Sequence, residues 1–496
     1  MTKEIRKPSF ILAMIPIIVL VGLLFFNVKI YGEDATYGSN QIALIITTAV
    51  ASIIGIALGY KWNHLEGGIV KSITSALPAI LILLLIGALA GTWMISGIVP
   101  TMIYYGLEIL NPKVFLVAAC IVSAVVSMAT GSSWSTIATV GLALIGVGDA
   151  LGFSLPMVAG AIISGAYFGD KMSPLSDTTN LAPAMAGTDL FTHIRYMAYT
   201  TIPSIVITLI IFLILGFTIE TKSDAANVQS ILDTIQSKFY ISPVLLLVPG
   251  IVIILIVKKV SAVPALLIGT LLGAVAAIIF QPGIIESVAG VKGNYAYASY
   301  KTSIDSMFGK VAILEDGNEM QRLLTTRGME GMMNTIWLII CAMAFGGVME
   351  ACGLLQKITS TVVSLAKSTG SLIATTAGTC VFFNATASDQ YLAIVVPGRM
   401  FADTYRDRGL APENLSRTLE DSGTVTSVLF PWNTCGAAQS SILHVATGEY
   451  WMYCFFNLIS PVMTVLFGYL NIKIRRFEPS ELAESKAADL FVDDSL

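Results

Sequence analysis

Three charged side chains stand in a short polar segment of an otherwise apolar stretch. Residues 169–183 read GDKMSPLSDTTNLAP and follow the apolar run Leu155–Phe168. On membrane-insertion scales, Asp170, Lys171 and Asp177 each cost about 2.5–3.5 kcal/mol at the centre of a bilayer. The three side chains must therefore pair or face water. Either Asp170 and Lys171 neutralise one another at an interface, or the segment forms a functional site.

The same segment is predicted to unwind a helix. Pro174 lacks a backbone donor and disfavours helical backbone at Ser173. Hydroxyl, carboxylate and amide side chains also compete with helical hydrogen bonds. The break would expose backbone carbonyl oxygens beside a set of polar side chains, namely Ser173, Ser176, Asp177, Thr178, Thr179 and Asn180.

A second polar cluster, residues 130–136 (TGSSWST), separates the apolar stretches Val114–Ala129 and Ile137–Val147. Both stretches are short for a full span of about 20 residues. A re-entrant hairpin with three serines at its tip explains this pattern, and so do two full spans joined by a surface turn. The tip serines are Ser132, Ser133 and Ser135.

Two later segments have a similar composition. Residues 384–390 (NATASDQ) predict a second hairpin tip, and residues 430–436 (FPWNTCG) predict a second unwound site. The candidate binding residues there are Thr386, Ser388, Asp389, Asn433 and Thr434. The second unwound site has no carboxylate, so we expect one main charged site and one neutral half-site.

Carboxylate, hydroxyl, amide and backbone oxygens together suit a small hard cation. A deprotonated Asp177 or Asp389 can hold Na⁺, whereas the protonated acid cannot. Cation and proton then compete for one site, which is sufficient for exchange. Asp177 is the expected Na⁺ ligand, and Asp177, Asp170 and Asp389 are the candidates for carrying the proton. We find no enzyme motif, so neither catalysis nor a cofactor is expected.

Composition excludes most soluble classes of protein. The chain has 496 residues, of which 55% are hydrophobic and 12% charged, and its mean hydropathy is +0.79. Soluble domains carry about 25% charged residues. The formal net charge of −4 offers no basic patch for nucleic acid. The chain is therefore predicted to be an all-α, multi-pass protein of the cell membrane, surrounded by lipid.

Hydropathy predicts about ten full spans plus two hairpins. The two broken segments account for two of the spans, and the remaining apolar runs are Ile11–Ile30, Gln41–Tyr60, Leu77–Gly97, Met197–Ile219, Pro243–Val257, Ala262–Phe280, Thr335–Cys352 and Trp451–Ile472. Lysines and arginines cluster on the cytoplasmic side of membrane proteins. They flank the first and last spans, which predicts that both termini are cytoplasmic. Residues 221–240 and the loop 281–329 are then external.

The two halves of the chain resemble each other at an offset of 256 residues. Gly91 and Gly97 match Gly347 and Gly353, residues 129–132 match 385–388, and the offset becomes 257 near Pro174. The halves are membrane repeats 1–220 and 241–472, joined by the external connection 221–240 and followed by the acidic cytoplasmic tail 473–496. The charge pattern gives matching spans opposite directions. Inverted repeats with interrupted helices are typical of secondary transporters, whose sites lie where the repeats meet.

Several motifs resemble the NhaC family of sodium/proton antiporters over nearly all of the membrane part. The motifs are Gly131-Ser-Ser-Trp-Ser135, Ser164 to Pro183, Gly91-Thr-Trp-Met-Ile-Ser-Gly97 and Pro431-Trp-Asn-Thr-Cys-Gly436. The resemblance implies paired re-entrant hairpins, broken helices and a homodimer with elevator-like motion. The family also includes malate/lactate antiporters.

The sequence leaves three functions open, of which two are transport and one is a membrane protein without transport. The first is antiport of cytoplasmic Na⁺ for external H⁺ at the carboxylate and hydroxyl site. The second is exchange of a small organic acid coupled to Na⁺ and H⁺, for which hydroxyls, Asn384, Lys171 or Arg399 would bind the anion. The third is a membrane receptor or scaffold without transport, which predicts neither inverted repeats nor intramembrane carboxylates.

Overall fold

The protein is almost entirely helical. The computed structural model describes residues 5–31, 35, 37–219, 225–313, 324–363 and 366–477. In these ranges the one sheet is a ribbon of two antiparallel strands, β1 (Val311–Ala312) and β2 (Thr325–Thr326). The all-α prediction is confirmed.

The first half of the chain contains long apolar helices and one helix interrupted by four residues. Its helices are α1 (Phe10–Tyr31), α2 (Ser39–Leu58), α3 (Trp62–Ile95), α4 (Ile98–Ile109), α5 (Phe115–Thr130), α6 (Ser133–Thr136), α7 (Leu142–Ala150), α8 (Leu155–Met172), α9 (Asp177–Ala186) and α10 (Leu190–Thr218). The predicted span Leu77–Gly97 falls mostly in α3, which begins 15 residues earlier, at Trp62, and ends at Ile95.

The second half follows a similar plan. Its helices are α11 (Ala225–Lys238), α12 (Leu247–Val257), α13 (Ala262–Phe280), α14 (Pro282–Ala289), α15 (Tyr295–Phe308), α16 (Met333–Ala351), α17 (Leu354–Val363), α18 (Thr369–Thr386), α19 (Leu392–Asp407), α20 (Pro412–Leu419), α21 (Thr434–Leu443), α22 (Thr447–Tyr450) and α23 (Phe455–Tyr469). One π-helical turn, Ile137–Gly141, joins α6 to α7, and another, Glu420–Thr424, follows α20.

The helices are long and apolar enough for a multi-pass membrane protein. Eight stretches of the described chain meet that criterion, or ten if two bent helix pairs each count as one span. The two arms of the first hairpin, Pro112–Thr130 and Ser133–Ala150, are among the eight. A re-entrant course for this hairpin therefore stays a prediction.

Helices α5 and α6–α7 form a hairpin with its tip at Gly131. Gly131 has a φ of 69°, in the left-handed region that suits glycine, and it ends α5. At the open end, the rings of Phe115 and Phe153 lie 5.4 Å apart. The chain therefore returns to the level at which α5 begins.

Helix α8 packs against α5 through glycines. A Cβ atom on Gly165 would lie 2.0 Å from the carbonyl oxygen of Cys120, and one on Gly169 would lie 2.2 Å from that of Ala124. In the same contact, Ser127 Oγ donates a hydrogen bond of 2.6 Å to the carbonyl oxygen of Ala166. It brings the end of α8 to the hairpin tip.

We expect Gly165→Ala to destabilise the protein, because the new methyl group must push α5 and α8 apart. Overpacking of this kind costs about 1–3 kcal/mol. Gly250→Ala in α12 is the matched control, since no packing neighbour among the described residues lies within 4 Å of the added Cβ. Thermal unfolding in detergent measures both variants. A Gly165→Ala variant as stable as Gly250→Ala would contradict the close packing.

The two halves repeat the same local geometry at an offset of 257 residues. Ser388 has a φ of 60° at the tip between α18 and α19, as Gly131 has in the first tip. Ser132 accepts a hydrogen bond from the amide of Ser135, and Asp389 accepts one from the amide of Leu392. The bond from Asn384 to the carbonyl of Gly423 corresponds to that from Ser127 to Ala166.

This geometry corrects the sequence alignment of the hairpins. The offset of 256 pairs Ser132 with Ser388, whereas the structure pairs Gly131 with Ser388 and Ser132 with Asp389. The offset of 256 holds for the left-handed Gly97 and Gly353, after α3 and α16. One residue is therefore inserted between these helices and the hairpin of the second half, and sparse identities do not reveal it.

Matching helices of the two halves run in opposite directions. Early in α3, Gly68 contacts Gly347, near the end of α16. Late in α3, Gly87 contacts Gly328, just before α16 begins. Helices α3 and α16 are therefore antiparallel neighbours, as inverted repeats require.

The segment 281–329, predicted as a loop, is largely helical where it is described. It contains α14 and α15. Helix α15 packs closely against α3, since a Cβ atom on Gly91 would lie 1.8 Å from the carbonyl oxygen of Ser306. Most of the acidic tail, residues 478–496, lies outside the described residues.

Candidate functional site

The first hairpin tip touches the break between α8 and α9. Helix α8 ends at Met172 and α9 begins at Asp177, so the chain is unwound where Pro174 predicts it. A Cβ atom on Gly131 would lie 2.6 Å from the Cβ of Leu175. The two polar segments of the first half therefore form one region.

Asp170 is held by the hairpin tip. Its side chain is 8% exposed, and its Oδ2 atom accepts hydrogen bonds from Ser133 N at 3.0 Å and Ser133 Oγ at 2.7 Å. Next to it, the Ser132 Oγ atom accepts a bond from the amide of Ser135 at 3.2 Å. The tip thus supplies donors to a carboxylate on the opposite segment.

The polar side chains of the break also stabilise its backbone. Ser173 Oγ accepts from the amide of Leu175, and Ser176 Oγ accepts from the amide of Thr179. Thr179 donates to the carbonyls of Asp170 and Lys171, at 3.3 and 3.1 Å. Asn180 donates to the carbonyls of Pro174 and Ser176, at 3.0 and 2.7 Å. These bonds compete with continued helix, which explains why the break occurs here.

Asp177 lies at the open side of this region. It is the first residue of α9, and its side chain is exposed, as are those of Pro174 and Asn180. Asp170 and Asp177 therefore flank one unwound segment, with Asp170 buried and Asp177 open.

The second half places its polar residues in the equivalent positions. The amide of Thr434 donates to the carbonyl of Ser388 at 3.0 Å, which joins the second tip to the second break. Asn433 donates to the side-chain oxygen of Asn384 at 3.2 Å. Asp389 is 4% exposed and begins the second arm of the hairpin. Thr386 donates to Phe382 in its own helix, at 2.7 Å.

The two halves meet at these segments. Thr178 of α9 donates a hydrogen bond of 3.0 Å to Glu420 Oε1 in the π-helical turn of the second half. Tyr391, in the second tip, lies within electrostatic range of Asp170, Asp177 and Asp389. The carboxylates named from the sequence therefore converge at the junction of the repeats.

Lys171 pairs with Asp421 and not with Asp170, so the alternative in which Asp170 and Lys171 neutralise one another does not occur. Lys171 Nζ and Asp421 form an ion pair with neither side chain exposed to solvent. Thr200 donates to Asp421 Oδ2 at 2.7 Å, and Lys171 donates to Ser460 Oγ at 3.0 Å. The physical reason is that consecutive side chains of a helix point in different directions.

Glu420 and Asp421 are functional candidates that sequence analysis did not select. Both are fully buried, in a π-helical turn that follows α20. Such turns occur frequently at functional sites. The available signal was a pair of adjacent carboxylates in a largely apolar region. Their partners in the first repeat, Lys171 for Asp421 and Thr178 for Glu420, lie 250 and 242 residues away, however.

The charges at the junction are unbalanced. The one lysine is neutralised by Asp421. Asp170, Asp177, Asp389 and Glu420 remain around the two breaks, and no salt bridge engages them in the described part of the chain. The site is therefore suited to a cation or to protons, and hydroxyl and carbonyl oxygens stand beside its carboxylates.

Comparison with known proteins gives consistent matches over most of the chain. The sequence model of the Na⁺/H⁺ antiporter family matches residues 165–472. The Na⁺/H⁺ antiporter NhaC of Alkalihalophilus pseudofirmus is 39% identical over 88% of this chain and 91% of its own length. The malate-2H⁺/Na⁺-lactate antiporter of Bacillus subtilis is 35% identical over 94% and 96%. The arginine/ornithine antiporter ArcD of Halobacterium salinarum is 35% identical over 97% and 96%.

Proposed function

Because this chain belongs to the Na⁺/H⁺ antiporter family, we propose that it exchanges Na⁺ for H⁺ at the junction of its two repeats. One observation carries the proposal: the junction has an excess of carboxylates once Lys171 is paired with Asp421. Such a site attracts a cation and is neutralised either by that cation or by a proton.

The proposed Na⁺ ligands differ in their exposure to solvent. Asp177 is exposed and would meet an arriving Na⁺ first. The inner ligands are Asp170, the hydroxyls of the hairpin tip and the carbonyl oxygens of the break, since these surround the buried end of the same segment. Na⁺ takes oxygen ligands of this kind, as hard cations do. Protonation of either carboxylate removes its negative charge and releases the cation.

The second half contributes neutral oxygens. Ser388, Thr386, Asn433 and Thr434 lie at its tip and break, and the buried Ser388 Oγ atom has no hydrogen-bond partner among the described residues. Asp389 is its carboxylate and the third candidate for the exchanged proton. The second unwound segment, residues 430–436, has no carboxylate of its own, and this difference from the first supports one main charged site completed by neutral oxygens.

The cellular arrangement is part of the proposal. We place both termini in the cytoplasm, with residues 221–240 and 281–329 outside, and expect cytoplasmic Na⁺ to leave as external H⁺ enters. The repeats are residues 1–220 and 241–472, and a second copy of the chain is the expected partner in the membrane. The positive flanks of the first and last spans support this orientation.

Exchange of an organic acid is the second candidate. It is supported by the 35% identity to the malate-2H⁺/Na⁺-lactate antiporter. An anion would need free cationic donors. Lys171 is already neutralised, and Arg399 is exposed on α19. The charges of the junction therefore favour the cation.

The test uses proteoliposomes that enclose a pH dye in an acidic interior. External Na⁺ should make the interior alkaline in wild type, without any organic acid. Asp177→Asn should reduce the rate at least about tenfold, because the lost charge on a ligand is worth at least about 1.4 kcal/mol.

Asp233→Asn is the control, since this carboxylate is exposed on α11, away from the junction. A proton flux that appears only when malate or lactate is added would replace Na⁺/H⁺ antiport with the organic-acid function. Full exchange by Asp177→Asn would remove Asp177 from the site.

A further inference from the structure

Glu420 is a buried carboxylate of the junction that is neither a Na⁺ ligand nor a proton carrier in the exchange proposed above. Its side chain is 0% exposed. Its Oε1 atom accepts one hydrogen bond, from Thr178 at 3.0 Å, and its Oε2 atom has no partner among the described residues. A carboxylate isolated in an apolar interior cannot stay ionised without compensation, so it takes up a proton instead.

Asp421, the next residue of the same π-helical turn, has an ion-pair partner and hydrogen-bond partners. Asp421 has the Lys171 ammonium, the Thr200 hydroxyl and the Ser460 hydroxyl around it. Adjacent carboxylates with such different environments have different roles. Asp421 is engaged in an ion pair, whereas the Oε2 atom of Glu420 has no partner among the described residues.

Two hydroxyls extend from Glu420 to the unwound segment between α8 and α9. Thr178 Oγ1 lies 3.0 Å from Glu420 Oε1 and 3.2 Å from Ser176 Oγ. Ser176 immediately precedes Asp177, whose side chain is exposed. Hydroxyls both donate and accept, so this pair can pass a proton between the buried acid and Ser176, the residue before the exposed Asp177.

The groups around Glu420 link its charge to the cation site. Asp170 and Lys171 of α8 both lie within electrostatic range of it. On its own helix, Arg417 stands one turn earlier and donates to the carbonyl of Lys473. From α10, His193 contacts Ser416, also one turn before Glu420.

The remaining elements that contact this turn present neutral groups. Helix α18 contributes Asn384, which donates to Gly423, and α23 contributes Ser460 and Asn457, which donates to Val425. In α19, the Tyr405 hydroxyl donates to Thr376. A cation that neutralises Asp170 therefore makes the potential at Glu420 less negative.

We propose that Glu420 is a second proton-carrying residue, which releases one H⁺ when Na⁺ binds between Asp170 and Asp177 and regains it when Na⁺ leaves. This inference rests on the proposed Na⁺/H⁺ exchange. The balance is one carboxylic acid becoming one carboxylate and one proton, in addition to the proton displaced from the cation site. The wild-type protein then moves two H⁺ per Na⁺.

The experiment measures the H⁺:Na⁺ ratio in proteoliposomes from the Na⁺ gradient at which net proton flux stops, at a fixed pH gradient and membrane potential. Glu420→Gln, which mimics the protonated acid, should lower the ratio from two to one and keep exchange of radioactive Na⁺ for unlabelled Na⁺. Glu413→Gln is the matched control. Glu413 is buried on α20 but paired with Arg475, so the ratio should not change.

The outcomes separate the two proposals. Absence of Na⁺-driven proton flux in wild type would remove the antiport function itself. Antiport in wild type with an unchanged ratio in Glu420→Gln would overturn only the role of Glu420, as would loss of Na⁺/Na⁺ exchange in a folded variant. If Glu420→Gln does not fold, Glu420→Asp should shift the pH midpoint of exchange to lower pH by about 0.4 unit, the difference between the reference pKa values of Glu and Asp, at an unchanged ratio. An unshifted midpoint would also overturn the proposal.

Discussion

Lys171→Met should destabilise the protein by about 3–5 kcal/mol, because it leaves Asp421 charged and buried without its partner. Both side chains of this pair are fully buried, and the pair joins α8 of the first repeat to the π-helical turn of the second. Two hydroxyls, of Thr200 and Ser460, would be left to compensate the remaining charge. The loss should appear as a lower midpoint of thermal unfolding in detergent.

The double variant tests the cause. Lys171→Met combined with Asp421→Asn removes both charges and keeps the shape of the acid, so most of the lost stability should return. Lys301→Met is the control. Its pair with Asp305 is about one-third exposed, and it should change stability by less than about 1 kcal/mol. A single Lys171→Met variant with wild-type stability would refute a buried, interdependent pair.

Asp170→Asn should reduce Na⁺-driven proton flux at least about 100-fold. Asp170 is a buried carboxylate between the first tip and the first break, and the loss of a charged ligand there is worth about 3 kcal/mol. The substituted amide can still accept the hydrogen bond from the Ser133 amide, so the hairpin tip should stay in place. Unfolding midpoint and Na⁺-driven dye response, measured on the same preparation, separate lost function from lost structure.

Two further results would decide the role of Asp170. Asp233→Asn, outside the junction, should exchange at the wild-type rate. If Asp170→Asn exchanged as fast as this control while Asp177→Asn did not, Asp170 would only hold the hairpin tip. The cation site would then consist of Asp177 and the second half.

The features that were predictable from the sequence are local. Apolar runs of span length, such as Ala262–Phe280, became helices with the predicted ends. Pro174 and its polar neighbours marked the break between α8 and α9, because proline and side-chain hydrogen bonds act within a few residues. The inverted repeat was also visible, since its motifs recur in the same order.

The features that were not predictable depend on distant residues. Lys171 and Asp421 are 250 residues apart, and Thr178 and Glu420 are 242 apart. Nothing in the spacing of either pair states that they meet. The one-residue error in the hairpin alignment has a similar origin, since the shared left-handed backbone of Gly131 and Ser388 appears only in the fold. The contacts Lys171–Asp421 and Thr178–Glu420 both lie where the two repeats pack together.

The most direct test of the central claim is the accumulation of radioactive Na⁺ in proteoliposomes with an acidic interior, without any organic acid. Na⁺/H⁺ antiport predicts that Na⁺ rises inside above its external concentration, and that the rise disappears when a protonophore, with membrane potential clamped, removes the pH gradient. Na⁺ that only equilibrates, or that accumulates only with malate or lactate inside, would contradict antiport at this carboxylate site.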